Sequence, residues 1–183
     1  RAVGSSQNCS FPVMICNTIM AAGMSELSSQ IEGGKSVRDA VADMYKKNRD
    51  VIFTGNGYSA DWPAEAAKRA LSNLNTTPKA IKTWAEEKNT KVFEALGIFT
   101  PEETEARAEV MYEAYNTTLC IEAKTMVDMV QTGILPACAK DLATFKDAPA
   151  LAGDRAKIYE SIKKENDKLK GLMDKVPDDM VKE

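Results

Sequence analysis

The chemistry open to this sequence is limited first by a missing residue type: none of its 183 residues is histidine. A Ser-His-Asp triad, a Cys-His pair and a histidine zinc site cannot be built from the chain alone. Cys9, Cys16, Cys120 and Cys138 include no CxxC pair, which argues against a four-thiolate zinc site. Cys16, Cys120 and Cys138 lie among apolar residues and are expected as buried free thiols in a reducing compartment. Glu102, Glu103, Glu105 and Glu109 cluster where a helix should begin, and compensation of the helix dipole accounts for most of them. Glu122 and Asp128, six residues apart, do not share a helix face closely, so a two-carboxylate site is not supported. Gly4-Ser5-Ser6 could offer backbone N–H groups to an anion, but without a surrounding motif it reads as a loop. Thr54-Gly-Asn-Gly57 lacks the Lys-Ser/Thr ending of a phosphate-binding loop and reads as a turn.

The background to these residues is ordinary for a globular chain. Apolar residues make up 44% and charged residues 28%, with 24 basic and 27 acidic side chains, which excludes collagen-like and bulk-disordered classes. A pI of about 5.2 argues against nucleic acid as a partner. Residues 2–25 carry no charge, yet their serines and asparagines and the interrupting Pro12 argue against membrane insertion. Arg1 in place of an initiator methionine leads us to expect a segment of a longer protein.

The elements that must position these residues are helical. Ser10 with Pro12 marks a helix start, followed by Val13, Met14, Ile15, Cys16, Ile19, Met20, Met24, Leu27 and Ile31. This density predicts a helix buried on most of its circumference at its beginning, stopped by Gly33-Gly34. Ser36-Val-Arg-Asp39 resembles a capping box. Asp50–Phe53 is a candidate short strand, and Ser59 a candidate cap for a helix holding Trp62 and Leu71. Thr77-Pro78 opens a helical stretch that runs to Gly97. Thr100-Pro-Glu-Glu103 combines a cap, an early proline and a glutamate three residues on, the clearest start in the chain. The long helix that follows should bend or break at Gly133 and Pro136. Residues 154–183 hold eight basic and eight acidic side chains. Their thin apolar stripe, Ile158, Ile162, Leu169, Leu172, Met173 and Val176, should pack against another helix. The expected fold is mainly α, with at most one or two short strands near Arg1 and residues 50–53. The expected organisation is a strand end and loop over 1–10, a helical region over 11–145, and a charged amphipathic helix over 154–183.

Three stretches carry a family resemblance. The first is Arg1-Ala-Val-Gly-Ser-Ser-Gln-Asn8 with Pro12 and Asn17-Thr-Ile19. The second is Asn56-Gly-Tyr-Ser59 with Trp62, Ala67-Lys-Arg69, Leu71, Asn73-Leu74 and Thr76-Thr77. The third runs from Val92-Phe-Glu94 and Gly97-Ile-Phe99 through Arg107, Glu113 and Tyr115 to Ile121-Glu-Ala123, Thr125-Met126, Asp128-Met129 and Ile134-Leu-Pro-Ala137. Together they resemble the C-terminal part of a type III glutamine synthetase, over residues 1 to about 140.

The resemblance implies a parent that is an ATP-dependent ligase. Glutamate is phosphorylated on its side-chain carboxylate, ammonia displaces the phosphate, and Mg²⁺ or Mn²⁺ clamps the phosphates. It also implies a homo-oligomer built from hexameric rings, with active sites between subunits, in the cytoplasm or an organelle. The family reads Arg-Phe-Glu-Phe-Arg where the last active-site strand leaves the catalytic barrel. The final arginine corresponds to Arg1, whose guanidinium would bind substrate or phosphoryl group. The family's metal-ligating glutamate, two positions earlier, falls outside the sequence, as do the nucleotide loop and other metal carboxylates. No catalytic, metal or cofactor-binding residue is therefore assigned within the chain, and the isolated segment is expected to be inactive. A second reading stays open: a non-catalytic helical scaffold or assembly subunit derived from the same domain.

Overall fold

The computed structural model describes residues 7–176; the expected strand end at Arg1 and the Pro177-Asp-Asp179 stop lie outside them. Eight α-helices appear among the described residues: α1 Ser10–Glu32, α2 Val37–Lys47, α3 Asp61–Lys68, α4 Thr77–Trp84, α5 Glu87–Ala95, α6 Pro101–Met129, α7 Leu135–Thr144 and α8 Arg155–Met173. Among the described residues there is no strand, in keeping with the mainly α expectation. The chain divides into two compact units, one up to Ala108 and one from Glu109 onward.

Local chemistry explains most boundaries. The Ser36 hydroxyl accepts from the Asp39 amide at 3.1 Å and donates to its carboxylate at 2.7 Å, starting α2. Thr100 and Glu103 form the reciprocal capping box that starts α6: the Glu103 amide donates to Thr100 Oγ1 at 3.2 Å, and the Thr100 amide to Glu103 Oε2 at 2.9 Å. Each bond satisfies a donor left without an intrahelical acceptor. Other starts are displaced. Ser10 is the first residue of α1 and Cys9 holds the cap position without a side-chain bond, while the Ser10 amide donates to Asn8 Oδ1 at 2.8 Å. Thr76, not Thr77, occupies the cap position of α4, with no side-chain bond. α3 begins at Asp61, because the Ser59 hydroxyl is engaged with the Asn56 carbonyl at 3.0 Å and the Asp61 carboxylate at 3.1 Å.

Three further expectations are corrected. Residues 49–51 form a 3₁₀ turn rather than a strand; no neighbouring strand supplies the ladder partners an extended segment needs. The stretch from Thr77 to Gly97 is broken where Glu86 turns extended, at φ −64°, ψ 140°. The Asn89 side-chain Nδ2 donates to the Thr83 carbonyl at 2.6 Å, which also accepts from the Glu86 backbone N–H at 3.2 Å. α3 ends before Leu71, with Ala70 at φ 54° and the Leu71 amide reaching back to the Ala66 carbonyl at 2.9 Å. The expected break near Gly133 and Pro136 is present as one π turn over Val130–Ile134. Pro136 cannot donate to the fourth carbonyl behind it and its ring would clash there, and the wider turn relieves both.

In the first unit the core is aromatic. Trp84 and Phe93 stack at 4.7 Å between centroids, with Phe11 4.9 Å and Phe99 6.1 Å from the Trp84 ring. Arg107 covers Phe99, its guanidinium carbon 4.3 Å from the ring centroid. Lys47 ties α2 to Glu26 of α1 at 2.6 Å. In the second unit α8 packs on α7. Tyr159 donates to Asp141 at 2.7 Å, and Arg155 pairs with the same carboxylate at 3.2 Å while lying 4.8 Å from the Phe145 ring centroid.

Candidate functional site

Arg1, the one residue assigned to substrate, and Gly4, Ser5 and Ser6 lie outside the described residues. Among the described residues no group of three or more cysteine, aspartate or glutamate side chains is placed to hold a metal ion. The described part of the chain therefore does not fit Mg²⁺ or Mn²⁺. No described helix is long and apolar enough to cross a membrane.

The carboxylates at the start of α6 serve the helix. Glu103 closes the capping box, and Glu102 is held below the ordinary carboxylate range by backbone N–H donation and then by the Thr100 hydroxyl. Acidic groups at a helix N-terminus gain from its dipole, which suffices to explain them. Glu122 and Asp128 are both exposed on α6. The cysteines differ from one another: Cys120 is buried and Cys138 half-buried, but Cys16 is exposed, against expectation. It lies on a face of α1 that is open to solvent among the described residues.

The most organised polar arrangement is a clip around Arg69. Its Nε donates to Glu65 at 2.7 Å, and one terminal nitrogen donates to the carbonyls of Ile52 at 2.8 Å and Asp50 at 3.2 Å. The guanidinium lies 5.8 Å from the Trp62 ring centroid, and Trp62 packs on Phe53 at 4.4 Å. A Cβ at Gly55 would overlap the Phe53 ring, so glycine is required for that close approach. Beyond it the Tyr58 amide donates to Asn56 Oδ1 at 3.0 Å, fixing the Asn56–Ser59 turn. Five donors in a fixed fork let one arginine gather a helix carboxylate and two loop carbonyls. The arrangement shapes a loop; it holds no nucleophile or base. Sequence reasoning singled out Trp62 as a helix anchor and a matching position, and Arg69 only as a matching position. The i,i+4 spacing of Glu65 and Arg69 was the one local signal of their pairing.

The clip, the α6 start and the aromatic core apart from Phe11 fall in a segment with known counterparts. Residues 36–148 match the glutamine synthetase C-terminal domain. The chain belongs to that family. It is 39% identical over 145 residues to the type-3 glutamine synthetase of Dictyostelium discoideum, covering 75% of this chain and 20% of that protein. It is 32% identical over 146 residues to a glutamine synthetase of Butyrivibrio fibrisolvens, covering 77% and 21% respectively. A glutamine synthetase of Bacteroides fragilis (strain YCH46) matches at 26% over 183 residues, covering 88% of this chain and 25% of its own length. The chain thus spans about a fifth to a quarter of the curated relatives it matches. The family match opens at Ser36, the cap of α2, and closes at Ala148, just beyond α7. Helix α1 precedes it and α8 follows it.

Proposed function

We propose that this chain is the C-terminal segment of a glutamine synthetase whose full polypeptide makes glutamine from glutamate, ammonia and ATP. The match of residues 36–148 to the family's C-terminal domain carries this reading. The segment supplies helical structure rather than the reacting groups. The metal and nucleotide ligands of the parent belong to the portion of the relatives that this chain does not span. Arg1 contributes a guanidinium fork to a carboxylate or phosphoryl oxygen, a two-point contact suited to charge that develops during phosphoryl transfer. The parent assembles as a homo-oligomer and works inside the cell, where ATP is available. In isolation the segment is inactive, since catalysis of this kind depends on preorganised ligands for the transferring group.

The test measures glutamine formation by the isolated 183-residue chain and by the full polypeptide from the native source, together with the native mass. A native polypeptide several hundred residues longer that makes glutamine, with no turnover by the isolated chain, supports the proposal. A native chain near 20 kDa without activity would make the helical scaffold reading the correct one. Turnover by the isolated chain would contradict the assignment of its active-site groups elsewhere.

A further inference from the structure

Asn56 is the one asparagine in the chain that is followed by glycine. Every other asparagine precedes a residue whose Cβ shields the peptide nitrogen beside the asparagine side chain. Asn56 and Gly57 are both exposed. The Tyr58 N–H donates to Asn56 Oδ1 at 3.0 Å, and the Ser59 N–H to the Asn56 main-chain carbonyl at 3.2 Å. Neither the Gly57 N–H nor Asn56 Nδ2 has a hydrogen-bond partner among the described residues. A Cβ built on Gly57 would meet no atom within 4 Å, so the space around that nitrogen is open. The chain is held on both sides of the turn. Arg69 grips the Asp50 and Ile52 carbonyls before it, and the Ser59 hydroxyl reaches the Asp61 carboxylate at 3.1 Å after it.

We propose that Asn56 and Gly57 form a modification site at which the native protein undergoes hydrolytic deamidation to aspartate and isoaspartate. The Gly57 nitrogen loses its proton to solvent and attacks Asn56 Cγ. The new C–N bond closes a succinimide ring, the Cγ–Nδ2 bond breaks, and Nδ2 leaves as ammonia with a proton from solvent. Water then adds to either ring carbonyl and opens the ring. One water is consumed, one ammonia is released, and nothing is oxidised or reduced. Each reacting group is arranged for these steps. The nucleophilic nitrogen is unbonded. The Tyr58 N–H points at the oxygen on which negative charge develops, as a donor of an oxyanion hole does. The leaving nitrogen is open to solvent. The chain itself supplies proximity, and glycine lets the ring close without a Cβ clash. In isoaspartate the Asn56 side-chain carbonyl joins the main chain and the former main-chain carbonyl becomes a free carboxylate. Both acceptors that form the turn thus change place, and a negative charge appears beside Tyr58, whose side chain is 83% exposed. The Arg69 bonds use neither Asn56 nor Gly57, so the change is confined to the turn.

The test incubates the full polypeptide at neutral pH, native and unfolded in guanidinium chloride. Mass mapping follows residues 50–68, and methyl transfer by an isoaspartyl methyltransferase reports isoaspartate. In the native sample residues 50–68 should gain the mass of a hydroxyl in place of an amino group no more slowly than in the unfolded sample, and ahead of every other asparagine. Gly57→Ala, for which the turn has room, should keep the wild-type melt and slow conversion at least about tenfold. The same ratio measured on the two unfolded proteins checks the route without reliance on folding. A native rate below the unfolded rate would show that the turn protects Asn56, and overturns the inference. Conversion of Gly57→Ala as fast as wild type overturns the succinimide route and the inference with it.

Discussion

The indole N–H of Trp84 donates to the main-chain carbonyl of Thr104 at 2.8 Å, joining the end of α4 to the first turns of α6. Both residues are buried: Trp84 is 6% and Thr104 0% exposed. The ring also supports Phe11, Phe93 and Phe99. Two substitutions separate these roles. Trp84→Phe keeps most of the packing and loses the bond, and should cost about 1–2 kcal/mol. Trp84→Ala also leaves a cavity and should cost about 3–5 kcal/mol. Urea melts check both values; an unchanged Trp84→Phe melt would show that the hydrogen bond contributes nothing, and equal costs that the packing contributes nothing beyond it.

Ala70 sits at φ 54° where α3 ends, in a region an L side chain occupies at a cost of about 1–2 kcal/mol. Ala70→Gly should therefore raise stability, by about 0.5 kcal/mol after the added freedom of the unfolded chain is subtracted. A lower midpoint in chemical denaturation would show that the Ala70 methyl makes contacts worth more than the strain.

Asn166 is 5% exposed, and neither of its amide atoms has a hydrogen-bond partner among the described residues. It lies on the same side of α8 as the half-buried Ile162 and Leu169. Asn166→Leu should stabilise the second unit by about 1–2 kcal/mol, because an unpaired polar group in the interior costs about that much. Ile162→Asp should do the reverse by a few kcal/mol, placing a charge against α7 without a partner. Superimposable melts for wild type and Ile162→Asp would show that α8 is not docked.

The pH dependence has a definite sign at each end. Tyr159 is held above the ordinary phenol value, first by its hydrogen bond to Asp141, then by burial and the Asp141 charge. Its contribution is complete below about pH 10 and is lost as pH rises through the higher folded value. Asp43 is depressed by hydrogen bonding to Lys35, and Glu65 by hydrogen bonding to Arg69. Their contributions are present above the ordinary carboxylate range and are lost as pH falls through the lower folded values. Tyr159→Phe should flatten the alkaline limb of a stability profile and leave the acid limb unchanged. An unchanged alkaline limb would remove Tyr159 as its cause.

In the full polypeptide Arg1→Lys should lower turnover by about 10²–10³ while leaving stability near wild type. The charge survives, but the planar two-point contact, worth roughly 2–4 kcal/mol in the transition state, is lost. Steady-state kinetics with a parallel thermal melt measure the two effects. An unchanged rate in a folded protein would make Arg1 a positioning residue.

Local chemistry made part of this architecture readable in the sequence. The Ser36 and Thr100 starts and the disruption near Gly133 and Pro136 depend on side chains bonding or clashing with their own nearby backbone, the Gly33-Gly34 stop on the positive φ that Gly34 adopts, and the structure contains all four. The family resemblance was likewise carried by residues in order along the chain. Other features needed distant partners. Asp50–Phe53 has strand-like residues but no strand to pair with among the described residues, and the Arg69 clip joins carbonyls 17 and 19 residues away. Asn166 could not be singled out, because a polar residue inside a charged stretch looks solvated until its neighbours are placed. For the site, the family resemblance pointed to Arg1 alone, and the composition and spacing of the remaining residues gave no local pattern to read. α1 divides the two contributions most sharply. Its sequence determined that the helix is apolar on most of its circumference at its start and amphipathic towards its end. Tertiary structure decided which side this chain fills, because burial depends on the neighbours a helix finds rather than on its own periodicity.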